Sequence, residues 1–342
     1  MHRFADYEQA LSGVQSRAVP YAKTPPHVGQ ASEVRPAIIF RCLRLTSDGS
    51  DLASANGRIW TQYGQTILKD RADIPSFKKS NPTNPIVYWD WLANRTLAMR
   101  TDKPPFNDVR VRRALSMAID RRKWVQQYLE GHGFEDHGPV PASMPEWKLP
   151  TKDLGEGAKY LEHNPALAKK LLAEAGLPNG FKAKCTNWPG YGPEYVEELE
   201  LLAFNLKQIG VELQIVNEEY GNYIRGSFLG KYDETTWGPS SIFTEVDGYL
   251  YNFYSTGQPN NRSHVSDTQL DVMLDAQRRY TAKSSRKKVI DDIQRYIAER
   301  VYYVYTPYPK NVSSWTPWVK NYGPKNSFDR GAQLEVVWLD GK

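Results

Sequence analysis

Helical periodicity is strongest where the chain passes residue 108. Apolar residues at Val111, Ala114, Leu115 and Ala118 recur at intervals of three and four, which is typical of an amphipathic helix. Asp108 stands just before them, where an acceptor side chain caps a helix. The pattern predicts a helix over residues 109–125 with Asp108 as its N-cap. A second helix is predicted from Pro165, with its stop at Gly176.

A different period follows, because residues 181–187 and 211–215 alternate apolar and polar side chains as strands do. A helical pattern at 193–209 separates these two segments. Strand, helix and strand at this spacing predict a βαβ unit with two parallel strands. The fold class is therefore α/β.

Weaker patterns predict the remaining elements. Extended segments are expected at 36–40, 86–91, 95–99, 232–237 and 301–305, and helices near 267–280 and 285–300. The first 80 residues are the least regular part, interrupted by several prolines. The chain shows no internal repeat.

Composition narrows the class of protein. Hydrophobic residues make up 40% of the chain and charged residues 24%, as in a folded globular protein. The net charge of +5 is too small, and its basic residues too dispersed, to predict a nucleic-acid partner. There is no run of 18 apolar residues, so no membrane-spanning segment is predicted, and the first residues lack the apolar core of an export signal.

The two cysteines, Cys42 and Cys185, form no CxxC pair, so neither a zinc site nor a redox motif is predicted. Cys185 would share a buried strand face with Phe181 and Ala183, which predicts a packed thiol. The sequence demands no disulfide between the two and excludes none.

Catalytic signatures are absent from the sequence: it contains no GxGxxG, GxxxxGK[ST], HExxH or GxSxG. The segment from His132 to His137 also contains Glu135 and Asp136, which are metal-ligating residue types. It lies on a Gly-rich turn without a further ligand nearby, so exposed polar residues are the favoured interpretation. We expect no metal, no cofactor and no enzymatic activity.

Residues 104–121, PPFNDVRVRRALSMAIDR, resemble a long motif of the extracellular solute-binding proteins of family 5, the peptide- and nickel-binding components of ABC importers. Further matches follow in order. They are residues 164–176, 206–213, 232–238, 266–271 and 286–298, with a fainter one at 56–59. The resemblance implies a two-lobed α/β fold of the periplasmic-binding-protein type (type II, large cluster).

The resemblance also implies a domain organisation. Residues 1–99 would be part of a first lobe, 100–310 a complete second lobe, and 311–342 a return to the first lobe. Because the family begins with an export signal and a long first lobe, we expect this chain to start partway through that lobe, which leaves the lobe incomplete. The full-length protein would be a monomer on the periplasmic or extracellular side of the cytoplasmic membrane. It would deliver its solute to ABC permease subunits.

The ligand is expected at the carboxyl ends of the parallel strands, where open α/β sheets bind solutes. With 21 Tyr and 10 Trp, the chain has ample aromatic walls for such a site. The candidate contacts are Asn187, Trp188, Tyr191, Trp237 and Ser240. The alternative for Trp188 and Trp237 is that they cover the edge of the core.

Peptide binders of the family place an Asp a few residues after the cleft Trp, and this chain departs from that pattern. The nearest carboxylates after Trp237 are Glu245 and Asp247, which become the candidate anions for a ligand amine. Peptides are the expected ligand. A carbohydrate-binding importer component is the alternative, and a glycoside hydrolase is a more distant one.

Overall fold

Two larger β-sheets and two two-stranded sheets organise the part of the chain that the computed structural model describes, which comprises residues 58–60, 65–68, 74–90, 92–135, 138–322 and 338–340. All of these residues belong to one compact unit, Ala53–Lys342. The predicted strand at 36–40 and Cys42 lie outside the described residues. None of the described helices is both long and apolar enough to cross a bilayer.

The strands are short and follow one another throughout the described chain. They are β1 (Arg58–Trp60), β2 (Gln65–Leu68), β3 (Ile86–Trp89), β4 (Arg95–Met99), β5 (Gly133–Phe134), β6 (Phe181–Asn187), β7 (Val211–Asn217), β8 (Thr235–Pro239), β9 (Tyr303–Tyr305), β10 (Tyr308–Pro309), β11 (Asn311–Trp315), β12 (Val319–Lys320) and β13 (Trp338–Leu339).

The α-helices connect and cover these strands. They are α1 (Ile74–Ser80), α2 (Val109–Met117), α3 (Arg121–Lys123), α4 (Pro165–Glu174), α5 (Pro193–Lys207), α6 (Tyr220–Arg225), α7 (Val246–Tyr254), α8 (Thr268–Gln277) and α9 (Lys283–Arg300). Short 3₁₀ and π turns, including a π-helix at Trp124–Tyr128, complete the connections.

The larger sheet has five strands in the order β7-β6-β8-β4-β9. Strand β6 runs parallel to β7 and β8, which confirms the predicted βαβ unit. Strand β4 is antiparallel to both of its neighbours. It lies between β8 and β9 in this sheet. The predicted lobe boundaries at residues 99/100 and 310/311 stay predictions.

The smaller sheet has four strands in the order β1-β2-β11-β3. The chain therefore passes between the two sheets twice among the described residues: from β3 to β4, and from β9 to β11. These passages position Asn94 and Arg95 on one side and Tyr308 on the other.

The core occupies both faces of the five-stranded sheet, because neighbouring residues of β4 point to opposite sides. Leu97 packs in a cluster with Cys185 and Trp237, whereas Ala98 packs with Tyr303 and helices α7 to α9. Cys185 is a free thiol, as predicted, and its burial raises its pKa to about 12.

The predicted helix at 109–125 is wrong in its second half. Asp108 caps α2 by accepting a hydrogen bond from Arg110 N at 2.8 Å, as expected, but the helix ends at Met117. Arg121 turns inward and donates to the carbonyl oxygens of Ser116 and Tyr305, both at 2.9 Å. These tertiary bonds occupy the Ser116 carbonyl, and a new helical turn starts at Asp120.

Strand β7 forms where its alternation predicts, yet its apolar residues are not all buried. Val211 is buried, whereas Ile215 and Val216 are exposed. The strand lies at the edge of the sheet, so no further strand covers its outer side among the described residues.

Candidate functional site

The carboxyl ends of strands β6, β7 and β8 meet at one edge of the five-stranded sheet. Asn187 and Asn217 end β6 and β7 directly opposite each other, and Asn187 Nδ2 donates to Asn217 Oδ1 at 3.2 Å. The backbone pairing of the two strands continues one residue beyond β7, because Glu218 N donates to Asn187 O at 2.7 Å. Loops diverge at such an edge and leave space for a ligand. We call it the carboxyl edge.

Four aromatic side chains stand together at this edge, and we call them the aromatic rim: Trp188, Tyr191, Tyr195 and Tyr220. Trp188 lies 4.5 Å from both Tyr191 and Tyr220, measured between ring centroids, and Tyr191 lies 5.0 Å from Tyr195. Tyr220 is 50% exposed. Trp188 and Tyr191, two of the predicted ligand contacts, thus lie together on one surface, and their contact with a solute stays a prediction.

A glycine shapes the loop that carries the rim. A Cβ at residue 190 would lie 2.3 Å from Trp188 Cζ2, so only glycine lets the indole fold back over Pro189–Tyr191. Partial burial raises the pKa of Tyr191 to about 12, so its hydroxyl is protonated at neutral pH and can donate a hydrogen bond.

Trp237 differs from Trp188, although both were predicted as ligand contacts. It is fully buried and belongs to the core cluster that contains Leu97 and Cys185. Its place in β8 turns the indole toward this core. The expectation that Trp237 lines a cleft is therefore corrected: in this structure it offers no surface to a solute.

A buried ion pair lies behind the rim and was not predicted. Arg95, the first residue of β4, pairs with Glu198 of α5, and both side chains are almost completely buried. The Arg95 guanidinium stacks on Tyr195 at 3.9 Å and lies 5.8 Å from the Tyr308 ring. Burial by itself lowers the pKa of Arg95, but the charge and hydrogen bond of Glu198 together with Tyr195 and Tyr308 outweigh it, so that pKa is raised.

The pair connects the rim to both passages between the sheets. The Arg95 carbonyl accepts hydrogen bonds from Thr306 N and Oγ1, at 3.2 and 3.3 Å. Ser240, another predicted contact, belongs to the same region: its N–H donates to Asn94 O at 2.8 Å, and its Oγ accepts from Asn94 N at 2.9 Å. Ser240 thus ties β8 to the segment before Arg95, and its contact with a ligand stays a prediction.

Glu245 and Asp247 lie at the start of α7, and each carboxylate already has partners. Glu245 caps the helix by accepting from Asp247 N at 2.6 Å and pairs with Arg286 at 2.8 Å. Asp247 accepts from Gln277 and lies 3.4 Å from Arg278. These contacts hold α7 against α8 and α9, so neither carboxylate is free to receive a ligand amine in this structure.

Among the described residues, no three His, Cys, Asp or Glu side chains come together as a metal site would require. His132 instead stacks on Tyr88, with ring centroids 4.1 Å apart. Asp136 and His137 lie outside the described residues.

A separate groove of about 510 Å³ lies between the π-helix at Trp124–Tyr128 and α5. The exposed ring of Phe204, 61% accessible, is part of its wall, together with Asn205 and Gln208. No strand residue is among its lining residues. It therefore differs from the carboxyl edge in position and in composition.

Comparison with known proteins confirms the resemblance seen in the sequence. Residues 59–261 match the family model described as bacterial extracellular solute-binding proteins, family 5 Middle. The heme-binding protein A of Haemophilus influenzae is 24% identical over 75% of this chain and 46% of its own length. The chain thus spans about half the length of this curated relative.

Solved structures share the fold. The periplasmic binding protein DppA from Helicobacter pylori, in complex with the peptide STSA, matches with a TM-score of 0.66 and 22% identity over 79% of this chain and 51% of its own. AgaA from A. tumefaciens R10, in complex with agropinic acid, matches with a TM-score of 0.67 and 23% identity over 82% and 56%. These likenesses confirm the predicted two-lobed α/β fold class.

Proposed function

Since the chain belongs to the bacterial extracellular solute-binding proteins of family 5, we propose that the intact gene product captures a peptide between its two lobes. The observation that supports this proposal most directly is the aromatic rim at the carboxyl edge. It combines half-exposed rings with phenol hydroxyls, and ligand pockets are built from such apolar walls and a few polar groups.

The buried pair of Arg95 and Glu198 supports the same proposal from behind the rim. Both of its side chains are almost completely buried, and Arg95 stacks on Tyr195 of the rim beside both inter-sheet passages. Binding proteins of this kind close their lobes around a ligand by bending at such passages. Bending at these passages would then bury the rim residues against the ligand.

We further propose that the gene product acts outside the cytoplasmic membrane as a monomer, hands its solute to ABC permease subunits, and catalyses no reaction. One assay distinguishes a binding role from catalysis. After incubation with the peptide, a binding protein returns it unchanged, whereas turnover products would contradict the proposal.

Isothermal titration of the intact gene product with Ser-Thr-Ser-Ala, the peptide in the H. pylori structure, tests the proposal. We expect saturable binding with one site per chain. A library of di- to nonapeptides extends the test to other lengths, and the absence of binding to every member would contradict peptide capture.

A second candidate ligand is a solute of the opine or carbohydrate kind. The half-buried Trp188 and the exposed Tyr220 present ring faces on which a sugar can stack, and the neighbour AgaA holds agropinic acid. Agropinic acid is therefore the competing titrant. Binding of this acid without binding of any peptide would favour the second candidate.

A further inference from the structure

The segment that joins α8 to α9 concentrates positive charge. Residues 278–288, RRYTAKSSRKK, contain six Lys and Arg side chains and neither Asp nor Glu. This surplus exceeds the net charge of the whole chain, which is +5, so the rest of the chain is slightly acidic. We call residues 278–288 the basic segment. Positive charge gathered in this way on one surface segment attracts anionic surfaces.

Half of these cations form ion pairs and the other half do not. The paired ones hold the segment against neighbouring helices, as Arg286 does with Glu245 of the α7 cap at 2.8 Å. Among the described residues, no carboxylate pairs with the other three cations, which are all exposed: Arg279, Lys283 and Lys288. Their charges are therefore available to an anion outside the protein.

Aromatic rings accompany these free cations. Tyr280 directly follows Arg279, and its side chain is 47% exposed. The half-buried ring of Trp147 lies beneath Lys283, 5.3 Å from its Nζ. Tyrosine and tryptophan are enriched where proteins meet a bilayer surface, because the ring lies at the headgroup level while the polar tip stays in water. An exposed tyrosine among free cations therefore favours a membrane surface as the partner.

The basic segment lies beside the loop that leaves the carboxyl edge. Strand β8 ends at Pro239, and the short loop after it leads to Glu245, the cap of α7. The pairing of Arg286 with Glu245 holds the start of α9 against that loop. A surface that binds the basic segment would therefore lie at the same end of the lobe as the aromatic rim.

We infer that the basic segment binds the anionic phospholipid surface of the cytoplasmic membrane from outside. This contact keeps the carboxyl edge close to the bilayer that holds the permease. Phosphate headgroups move laterally and demand no fixed shape, which suits long, flexible side chains such as those of Lys283 and Lys288. Each free cation near an anionic surface gains about fivefold in affinity, so three of them give a weak and reversible contact.

Flotation of the intact gene product with lipid vesicles, without peptide, tests the inference. We expect binding to vesicles of phosphatidylglycerol and phosphatidylcholine at about 50 mM salt, its loss near about 500 mM, and none to phosphatidylcholine alone. A triple variant that removes the free cations should bind about a hundredfold more weakly: Arg279→Gln, Lys283→Gln and Lys288→Gln. The control removes the same net charge at exposed lysines elsewhere and should bind nearly as the wild type does: Lys152→Gln, Lys169→Gln and Lys207→Gln.

The outcomes that overturn the inference differ from one another. Equal losses in the two triple variants would show that net charge acts and the basic segment does not. No binding of the wild type to anionic vesicles would also overturn the inference and leave an acidic protein surface as the partner of this segment. A matching loss of peptide affinity in the first triple variant would assign its cations to solute capture instead.

The inference rests on the proposed location outside the membrane, and its failure is distinguishable from that of peptide capture. A wild type that binds anionic vesicles but no peptide would contradict peptide capture alone. Tyr280→Ser adds a second readout on lipid. It should weaken vesicle binding without changing the salt dependence, because the ring carries no charge. Unchanged binding of Tyr280→Ser to anionic vesicles would contradict the bilayer as the partner.

Discussion

Trp188 and Trp237 occupy similar places in the sequence, each near the end of a parallel strand, and the structure gives them opposite surroundings. Trp188 follows the last residue of β6 and stands in the aromatic rim, whereas Trp237 lies within β8 and packs in the core. The difference comes from the position of each residue along its strand, because Trp237 lies inside β8, where the core covers it, and Trp188 lies beyond the last residue of β6. An aromatic residue near a strand end is thus a site candidate only once its position relative to that end is known.

Replacing Trp237 should have the largest effect and should act on stability. Trp237→Ala empties a fully buried site, and we expect a loss of about 4 kcal/mol in the free energy of unfolding. Urea denaturation measures this loss. An unchanged urea denaturation midpoint together with a loss of ligand affinity would show that Trp237 contacts the ligand after all.

Breaking the ion pair behind the rim should cost nearly as much. Glu198→Gln leaves Arg95 buried without its countercharge, and we expect a loss of about 3 kcal/mol in urea denaturation. The matched control is Glu212→Gln, which breaks the exposed pair with Lys182 and should cost less than about 1 kcal/mol. Equal effects of the two variants would show that the Arg95 pair contributes no more than a surface contact.

Replacing Trp188 should act on affinity and only weakly on stability. If the rim contacts the solute, Trp188→Ala should weaken binding by about 2 kcal/mol, close to thirtyfold. Trp147 is the control, because it is half-buried but packs beside Lys283 and Arg286, each 5.3 Å from its ring. Trp147→Ala should leave the affinity measured by calorimetry unchanged. A similar loss of affinity in both variants would contradict a specific role of the rim in binding.

The smallest effect is expected at Asp108, which caps α2 and is not part of the rim. Asp108→Ala removes the cap of α2 and should cost about 1 kcal/mol of stability at pH 7, with no change in affinity. Hydrogen bonds from Arg110 hold the pKa of Asp108 below its usual 3.8. The carboxylate therefore stabilises the fold above that pH, and the difference from Asp108→Ala should shrink as the pH falls further. A difference independent of pH between 7 and 2 would contradict the capping role.

Local signals in the sequence sufficed for much of the fold. The cap at Asp108 and the parallel pairing of β6 and β7 follow from residues close together in the chain. The break after Met117 does not, because it depends on bonds from Arg121 to Leu161 and Tyr305, which are distant in sequence.

The candidate site was predictable only in part, for a similar reason. Alternation and strand ends located Trp188 and Tyr191 in the rim. The pairing of Arg95 with Glu198 brings together residues far apart in the chain, so no local sequence pattern predicts it. Glu245 and Asp247 were chosen by their distance from Trp237, but their partners lie on α8 and α9, or between them.

The central claim is that the solute binds at the carboxyl edge against the aromatic rim. A crystal structure of the intact gene product with Ser-Thr-Ser-Ala tests this claim most directly. The account predicts peptide density in contact with Trp188 and Tyr191. Peptide density in the groove beside Phe204, or against Glu245 and Asp247, with the rim empty, would contradict it.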